Sequence, residues 1–371
     1  MEKDFPHRKA LPGIALLTLL ATACTSLETR IAEPWGQPLL DDSSLVKMES
    51  ALEIERHRFQ VPDGPDLAYR VVKPMAYGME YHYARSDDGV EFRFNIGNPP
   101  EERAPIAAAG TVVLLHGWGM DGSSMLPWAL GLAENGWQAV MVDLRNHGAS
   151  GRAPAGFGPR EGQDVSALLA ALRTADGTDG PLALFGVSYG AVAALYAAAY
   201  AEAGVVDAVI AMSPYANAAD GIHGMIEGMK SQPGSGLRGR LALAHARRRY
   251  DDARIDRSIA AAGQRLGLDL AAIDVRQAAM AVDGCALLLH GTRDGFFPME
   301  SVQSLADAAP RGQLVTLEGE HHFTAPMRMD RLVEPLARWL DAADGAVCPP
   351  FEPHPPADTT TPTTGGVGSN E

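Results

Sequence analysis

The stretch Leu182-Ala183-Leu184-Phe185-Gly186-Val187-Ser188-Tyr189-Gly190-Ala191 leaves a chain few ways to fold. A short apolar run ends in G-x-S-x-G and passes directly into an alanine-rich segment. That is the pattern of a strand turning sharply into a helix, with glycines where a side chain would strike the neighbouring strand and helix. The serine between them is held on a strained turn with its hydroxyl above the sheet. There it faces the N–H groups and the positive dipole end of the new helix. Three fixed letters in five recur by chance, so the pattern gains weight only if the chain also supplies a base, an acid and a site for negative charge.

The surrounding sequence has a βα rhythm. Largely apolar runs at 111–115, 139–142, 182–185, 206–212, 286–289 and 314–317 alternate with helical segments, among them 165–172 and a last amphipathic helix through Leu332, Leu336 and Leu340. Apolar strands separated by helices indicate a mostly parallel, doubly wound α/β sheet covered on both faces. Before it, residues 67–72, 79–83 and 90–94 alternate as half-buried strands do. The last two, joined around Asp87-Asp88-Gly89, read as a hairpin adding an antiparallel N-terminal edge. Between Pro214 and Gly284 the rhythm is broken by about seventy residues of helical texture, too long for a simple connection. A helical cap insertion over residues 215–283 is expected, because it follows a strand whose end faces a binding crevice.

The ends differ in texture from this core. Lys3, Arg8 and Lys9 precede the apolar run 14–20, followed by Ala21-Thr22-Ala23-Cys24. A basic start, a short apolar segment and small residues mark an export signal too short to span a bilayer. Small residues directly before a cysteine resemble the lipobox of bacterial lipoproteins, with Ala21 where leucine is usual. That resemblance implies a signal peptide at 1–23, lipidation of Cys24 and a membrane anchor, the outer membrane being favoured because Thr25 is not aspartate. An ordinary signal peptide cleaved nearby is the alternative. Residues 24–64 read as a tether, and 346–371, rich in proline and threonine, as a disordered tail. The net charge of −15 argues against nucleic acid or an anionic membrane as partner, and the run Arg247-Arg248-Arg249 reads as a solvated helix face.

At this point the motifs, taken together, resemble the α/β-hydrolase family over residues 65–345. His116-Gly117-Trp118-Gly119 resembles its H-G oxyanion loop, which implies that the amides of Trp118 and Tyr189 hold the negative charge of a tetrahedral intermediate. Asp143-Leu144-Arg145-Asn146-His147-Gly148-Ala149-Ser150 resembles the loop D-x-R-G-H-G-x-S, with Asn146 in place of glycine. His116 and this loop are read as structural, since the family order is serine, acid, histidine. His290-Gly291-Thr292-Arg293-Asp294 resembles the acid motif and implies Asp294. Glu318-Gly319-Glu320-His321-His322 resembles G-x-x-H and implies His322, with His321 one residue away.

The expectation is a serine hydrolase of carboxylic esters, with Ser188, His322 and Asp294 as its catalytic residues and a small-molecule ester or acyl compound as substrate. No cofactor is needed, and neither remaining cysteine has the spacing of a metal ligand. A peptidase of the same fold and a non-catalytic surface-binding protein are the alternatives. Trp118, Tyr189, Phe296, Phe297, Met225 and Met229 are candidate linings of an acyl pocket. Cys285 opens the strand leading to Asp294, and the last helix runs back to end near Cys348, so these two thiols are expected to meet as a disulfide in an exported chain.

Overall fold

The computed structural model describes residues 26–34, 42–86, 89–174, 180–232, 236–343 and 347–355. The leader 1–23 and Cys24 lie outside them. The first described segment forms two helices, α1 (Leu27–Ala32) and α2 (Asp42–Ala51). Ten strands follow among the described residues: β1 (Glu55–Gln60), β2 (Asp66–Val72), β3 (Met79–Ser86), β4 (Gly89–Ile96), β5 (Gly110–Leu115), β6 (Trp137–Val142), β7 (Leu182–Val187), β8 (Ala208–Met212), β9 (Cys285–Gly291) and β10 (Gly312–Leu317). Eight of them make one sheet in the order β1-β2-β6-β5-β7-β8-β9-β10. From β6 to β10 every neighbour is parallel, while β2 and β1 join antiparallel.

Both faces of this sheet are covered, which is why its central strands are apolar without alternation. Val112, Leu114, Met141 and Phe185 face Trp128 and Leu130 of α3 (Leu126–Glu134) together with Leu332, Leu336 and Trp339 near the C-terminus. Val113, Leu115, Val140 and Leu184 face the other way, onto Val165, Leu168 and Leu169 of α4 (Pro159–Thr174) and Val192 and Leu195 of α5 (Tyr189–Tyr200). Each such side chain contributes about 1.5–3 kcal/mol on burial.

Four helices occupy the excursion between β8 and β9: α6 (Ala218–Ser231), α7 (Gly236–Arg249), α8 (Asp252–Leu266) and α9 (Val275–Met280). The chain closes with α10 (Met299–Ala308) and α11 (Met329–Ala342). Among the described residues no helix is long and apolar enough to cross a membrane.

Three sequence expectations change. The hairpin forms β3 and β4, but as a separate two-stranded sheet; the antiparallel edge is β1 with β2. β1 reads Glu-Arg-His-Arg-Phe-Gln and is exposed along most of its length, so its sequence carries no core signal. Residues 24–64 are not a plain tether, because Leu27, Ile31 and Ala32 of α1 are buried against the α8 side and Glu49 of α2 pairs at 2.6 Å with the buried Arg70. The tail is packed over 347–355. Phe351 is buried there, Trp339 Nε1 donates to the Pro349 carbonyl at 2.9 Å, and Cys348 is bonded to Cys285 with Cα atoms 5.5 Å apart.

Candidate active site

Ser188 sits between the last residue of β7 and the first of α5 with φ 55° and ψ −113°. For a residue with a side chain this region costs about 1–3 kcal/mol, so the surroundings must impose it. They do so through backbone hydrogen bonds. The Ser188 amide donates to the Met212 carbonyl at the end of β8 (2.8 Å), and the Ser188 carbonyl accepts from Ala191 in the first turn of α5 (3.0 Å). A Cβ on Gly186 would lie 2.1 Å from the Gly190 oxygen, and one on Gly190 would lie 2.2 Å from the Leu115 oxygen. The two glycines of the motif therefore allow β7, α5 and the end of β5 to close on one another. The amide of Tyr189, the first residue of α5, has no carbonyl one turn back in the helix to pair with.

Asp294 and His322 arrive from the ends of the next two strands. Asp294 follows β9 in a turn where its Oδ1 accepts from the amides of Phe296 (2.8 Å) and Phe297 (3.1 Å). Its Oδ2 lies 2.8 Å from His322 Nδ1, and His322 Nε2 lies 3.0 Å from Ser188 Oγ. Burial alone would raise the Asp294 pKa, but the charge and hydrogen bond of His322, the nearby His290 and the Phe296 amide outweigh it and hold the carboxyl below its usual range. An ionised Asp294 can only accept, so His322 Nδ1–H donates to it and Nε2 is left to accept from the serine hydroxyl. His321 does not share this arrangement, since its Nδ1 accepts from the Phe323 amide at 3.3 Å.

The imidazole is fixed by more than its hydrogen bonds. Phe296 stacks on it with centroids 4.6 Å apart and planes 6° from parallel, while Phe297 and Phe323 meet it edge-on. Phe296 is pressed from behind by α6, where a Cβ on Gly228 would come 2.2 Å from Phe296 Cδ1 and one on Gly224 2.2 Å from the Phe296 oxygen. Behind Asp294, His290 donates from Nε2 to the Phe297 carbonyl (3.0 Å), with Nδ1 3.8 Å from Asp294 Oδ2; burial lowers its pKa.

The loop carrying His322 is clamped by the hairpin. Buried Glu320 accepts at Oε2 from Tyr83 Oη (2.8 Å) and Arg85 Nη2 (2.6 Å), and at Oε1 from Arg328 Nη1 (2.9 Å). Arg85 also donates to the Gly319 carbonyl at 2.8 Å, and the Arg328 guanidinium lies over the Tyr83 ring. These residues are separated by more than 200 positions in sequence, and nothing in the composition of an alternating strand marks Tyr83 or Arg85 as partners of that loop.

The 116–119 loop passes beside the serine, for a Cβ on Gly117 would lie 3.9 Å from Ser188 Cβ. His116 donates to the Gly117 carbonyl from Nδ1 (2.8 Å) and accepts the Leu144 amide at Nε2 (3.1 Å). His147 accepts the Gly119 amide at Nε2 (3.3 Å) and donates from Nδ1 to the Arg145 carbonyl (2.8 Å). Burial keeps both neutral, lowering His116 and taking His147 to about 3. Asp143 is equally occupied, accepting from Gly122, Ala149 and Arg70. Asn146 takes φ 66°, a left-handed conformation that asparagine tolerates, which explains how it replaces glycine here.

Ser188, His322 and Asp294 are thus brought together, and the Trp118 loop lies alongside. An imidazole that accepts from a hydroxyl on one side and donates to a carboxylate on the other can take up and return a proton. Of the candidate pocket residues, Phe296 and Phe297 pack on His322, and Trp118, Tyr189 and Met229 are buried in the core. A cavity of about 680 Å³ lies between α6, α8 and the turn Leu270–Ala272, and none of the three residues lines it. A group able to approach a metal, His223 with Glu227 and Asp252, stands on α6 and α8, where Lys230 already bonds Glu227.

Residues 112–338 match the sequence profile of the alpha/beta hydrolase family, over more than half of the chain. The chain belongs to the alpha/beta hydrolase family. This alpha/beta hydrolase is 30% identical over 252 residues to a pimeloyl-[acyl-carrier protein] methyl ester esterase of Xanthomonas campestris pv. campestris, covering 62% of this chain and 95% of that one. It is also 32% identical over 114 residues to the uncharacterized protein YqkD of Bacillus subtilis, 30% of this chain and only 37% of that protein's length. Among solved structures, the Pyrococcus furiosus esterase Pf2001 superposes with a TM-score of 0.55 at 15% identity, covering 83% of this chain and 95% of the other; at that identity the likeness is one of fold. Family and relatives support a hydrolase.

Proposed function

We propose that this alpha/beta hydrolase is a serine hydrolase of carboxylic esters. The observation that carries the reading is His322 bridging Asp294 at 2.8 Å and Ser188 at 3.0 Å. Ser188 Oγ attacks the ester carbonyl carbon while His322 Nε2 takes the hydroxyl proton. The charge that develops on the carbonyl oxygen is met by the amides of Trp118 and Tyr189, each such donor being worth about 3–4 kcal/mol. Collapse of the intermediate expels the alcohol, which takes the proton from His322, and leaves an acyl group on Ser188. Water then attacks the acyl carbon, His322 accepts its proton, and the acid departs as the proton returns to Ser188. Asp294 keeps the imidazole in the tautomer both half-reactions need and stabilises its charged form.

The ester preference is supported by the Xanthomonas relative, whose name describes a methyl ester esterase and nearly all of whose length is matched. The reading includes export and anchoring through Cys24, supported by the segment 14–24 of the sequence. A fluorophosphonate probe tests the enzyme. Wild type is expected to label and Ser188→Ala not; equal labelling of both, or none of either, would refute the assignment. Turnover of aryl esters with no turnover of peptide anilides is the expected selectivity, and the reverse would make it a peptidase.

A further inference from the structure

The net charge of −15 conceals a segregation. α7 contains no carboxylate and exposes Arg240, Arg247, Arg248 and Arg249; Arg254 and Arg257 follow, also exposed, at the start of α8. Elsewhere arginines such as Arg58, Arg70, Arg145 and Arg328 have carboxylates within 4 Å. Among the described residues, none of the six does. The acids nearby offset them only in part: Asp251, which caps α8 by accepting the Arg254 amide (2.8 Å), Asp252, Asp256 and Glu28 are four carboxylates against six guanidiniums. Leu241 of α7 is also 61% exposed. Arginines and a leucine together on a solvent face suit an anionic surface with an apolar interior better than they suit water.

A second observation locates this face relative to the N-terminus. Ser26, Leu27 and Glu28 line a cleft of about 340 Å³ with Arg249, Arg254 and Arg257. Buried Leu27, Ile31 and Ala32 hold α1 in place there. Ser26 is two residues from Cys24, and two extended residues reach at most about 7 Å. The Debye length at physiological ionic strength is about 8 Å. A headgroup layer at Cys24 would therefore lie within electrostatic reach of Arg249, Arg254 and Arg257, the three arginines that line the cleft.

We propose that the exposed arginines of α7 and the first turns of α8 bind the anionic phospholipid headgroups of the bilayer at the N-terminus, holding the domain against the surface to which Cys24 tethers it. The inference goes beyond ester hydrolysis; it rests on the proposed anchoring through Cys24 and not on the chemistry at Ser188.

The test is vesicle flotation of the full chain carrying Cys24→Ser, so that no lipid is attached and the apolar leader is the same in every sample. Phosphatidylcholine vesicles are compared with vesicles containing phosphatidylglycerol. Flotation is expected to be stronger with phosphatidylglycerol and to lose that excess in 1 M salt. The triple variant Arg240→Gln, Arg248→Gln, Arg257→Gln spares Arg247, whose Nε bonds the Lys230 carbonyl. At about fivefold per arginine it should lose about a hundredfold in the anionic-dependent partition. Arg338→Gln, from the exposed pair with Glu334, should change nothing. Equal flotation on both vesicles, an unaltered triple variant with a native thermal transition, or tight binding of a DNA duplex without flotation would each overturn the proposal. Labelling of Ser188 plays no part in the readout, so the two proposals fail independently.

Discussion

Cutting the link between Cys285 and Cys348 is a perturbation whose size follows from the chain itself. The bridge closes 63 residues, from the first residue of β9 to a point just past α11. Closure of a loop of that length removes about 14 cal/mol/K from the unfolded ensemble, or about 4 kcal/mol at 25 °C. The folded side changes little, because other contacts hold the same segment. Trp339 donates to the Pro349 carbonyl (2.9 Å), the Phe351 amide donates to Gln313 Oε1 (3.2 Å), and Phe351 is buried. Urea unfolding of the wild type with and without reductant, beside Cys285→Ala/Cys348→Ala, gives the measurement. Reductant should lower the wild-type free energy by about 4 kcal/mol and steepen its denaturant slope, since the reduced unfolded chain exposes more surface. The double variant should match the reduced wild type and ignore reductant. Ester turnover in the absence of urea should persist, because the bond joins the end of β9 opposite Asp294. A wild-type transition that reductant does not move, or alkylation of Cys285 in urea without reductant, would refute the reasoning.

His322→Ala should lower kcat by at least about 10³-fold on an aryl ester, whereas His321→Ala should change it only a few-fold; the opposite ranking would reassign the base. Glu320→Gln should cost about 1–3 kcal/mol in thermal or urea unfolding by weakening its charged hydrogen bonds to Arg85 and Arg328, the latter keeping its pair with Asp330. Tyr83→Phe should lower kcat with KM nearly unchanged, and an unchanged kcat would deny the hairpin a role in holding His322. Gly190→Ala should fail to yield soluble, probe-labelled protein, because its Cβ would lie 2.2 Å from the Leu115 oxygen. The His147 pKa is about 3 in the folded chain against about 6.5 unfolded, so below pH 6.5 the unfolded chain takes a proton that the folded chain refuses. That contribution is complete above pH 6.5 and is lost as the pH falls towards 3. Between pH 7 and 5 it removes about 2 kcal/mol in denaturant titrations, and His147→Gln should lack that share of the slope.

The parallel core was legible because strands buried on both faces are written as unbroken apolar runs. The elbow was legible because strand, turn and helix follow one another within ten residues, although the contact that excludes a side chain at Gly190, the Leu115 carbonyl, is brought there only by the fold. The edge was not. β1 is a polar strand held by pairing to β2 and by the ion pair of Arg70 with Glu49, interactions that leave no period in the sequence. The same holds for the hairpin: the alternation of β3 and β4 announces two strands, but not whether they join the large sheet. Their docking is decided by single contacts. Glu134 accepts the amides of Gly78 (2.6 Å) and Met79 (2.9 Å), and Gly131 leaves room for Tyr81. Of the site, Ser188, Asp294 and His322, which the structure brings together, and the two loops were readable from local motifs, the loop of His147 being read as structural. The bracing contacts of His147, His290 and Glu320 were not, since each is made with a partner brought near only by the fold.

These braces explain how charge is distributed around Ser188. His116, His147, His290, His322 and the carboxylate of Asp294 lie buried around it, yet burial leads to opposite results. His116 and His147 stay neutral because no carboxylate bonds their rings; each uses one nitrogen to donate to a carbonyl and the other to accept an amide. Asp294 stays ionised because two amides and an imidazole accept the cost of its charge. One imidazole alone, that of His322, faces both Asp294 and the serine. That selectivity depends on where the ring of His322 stands, and His322 lies in a loop between β10 and the turn Ala325–Met327 with no helix or strand of its own. Its position is supplied from outside, by Phe296 under the pressure of α6 on one side and by Glu320 under the clamp of Tyr83, Arg85 and Arg328 on the other. Displacement of the ring by about an ångström costs about a hundredfold in rate, while the core that sets global stability is untouched. Mild changes in the hairpin or in α6 should therefore be read first in kcat, and only later in unfolding.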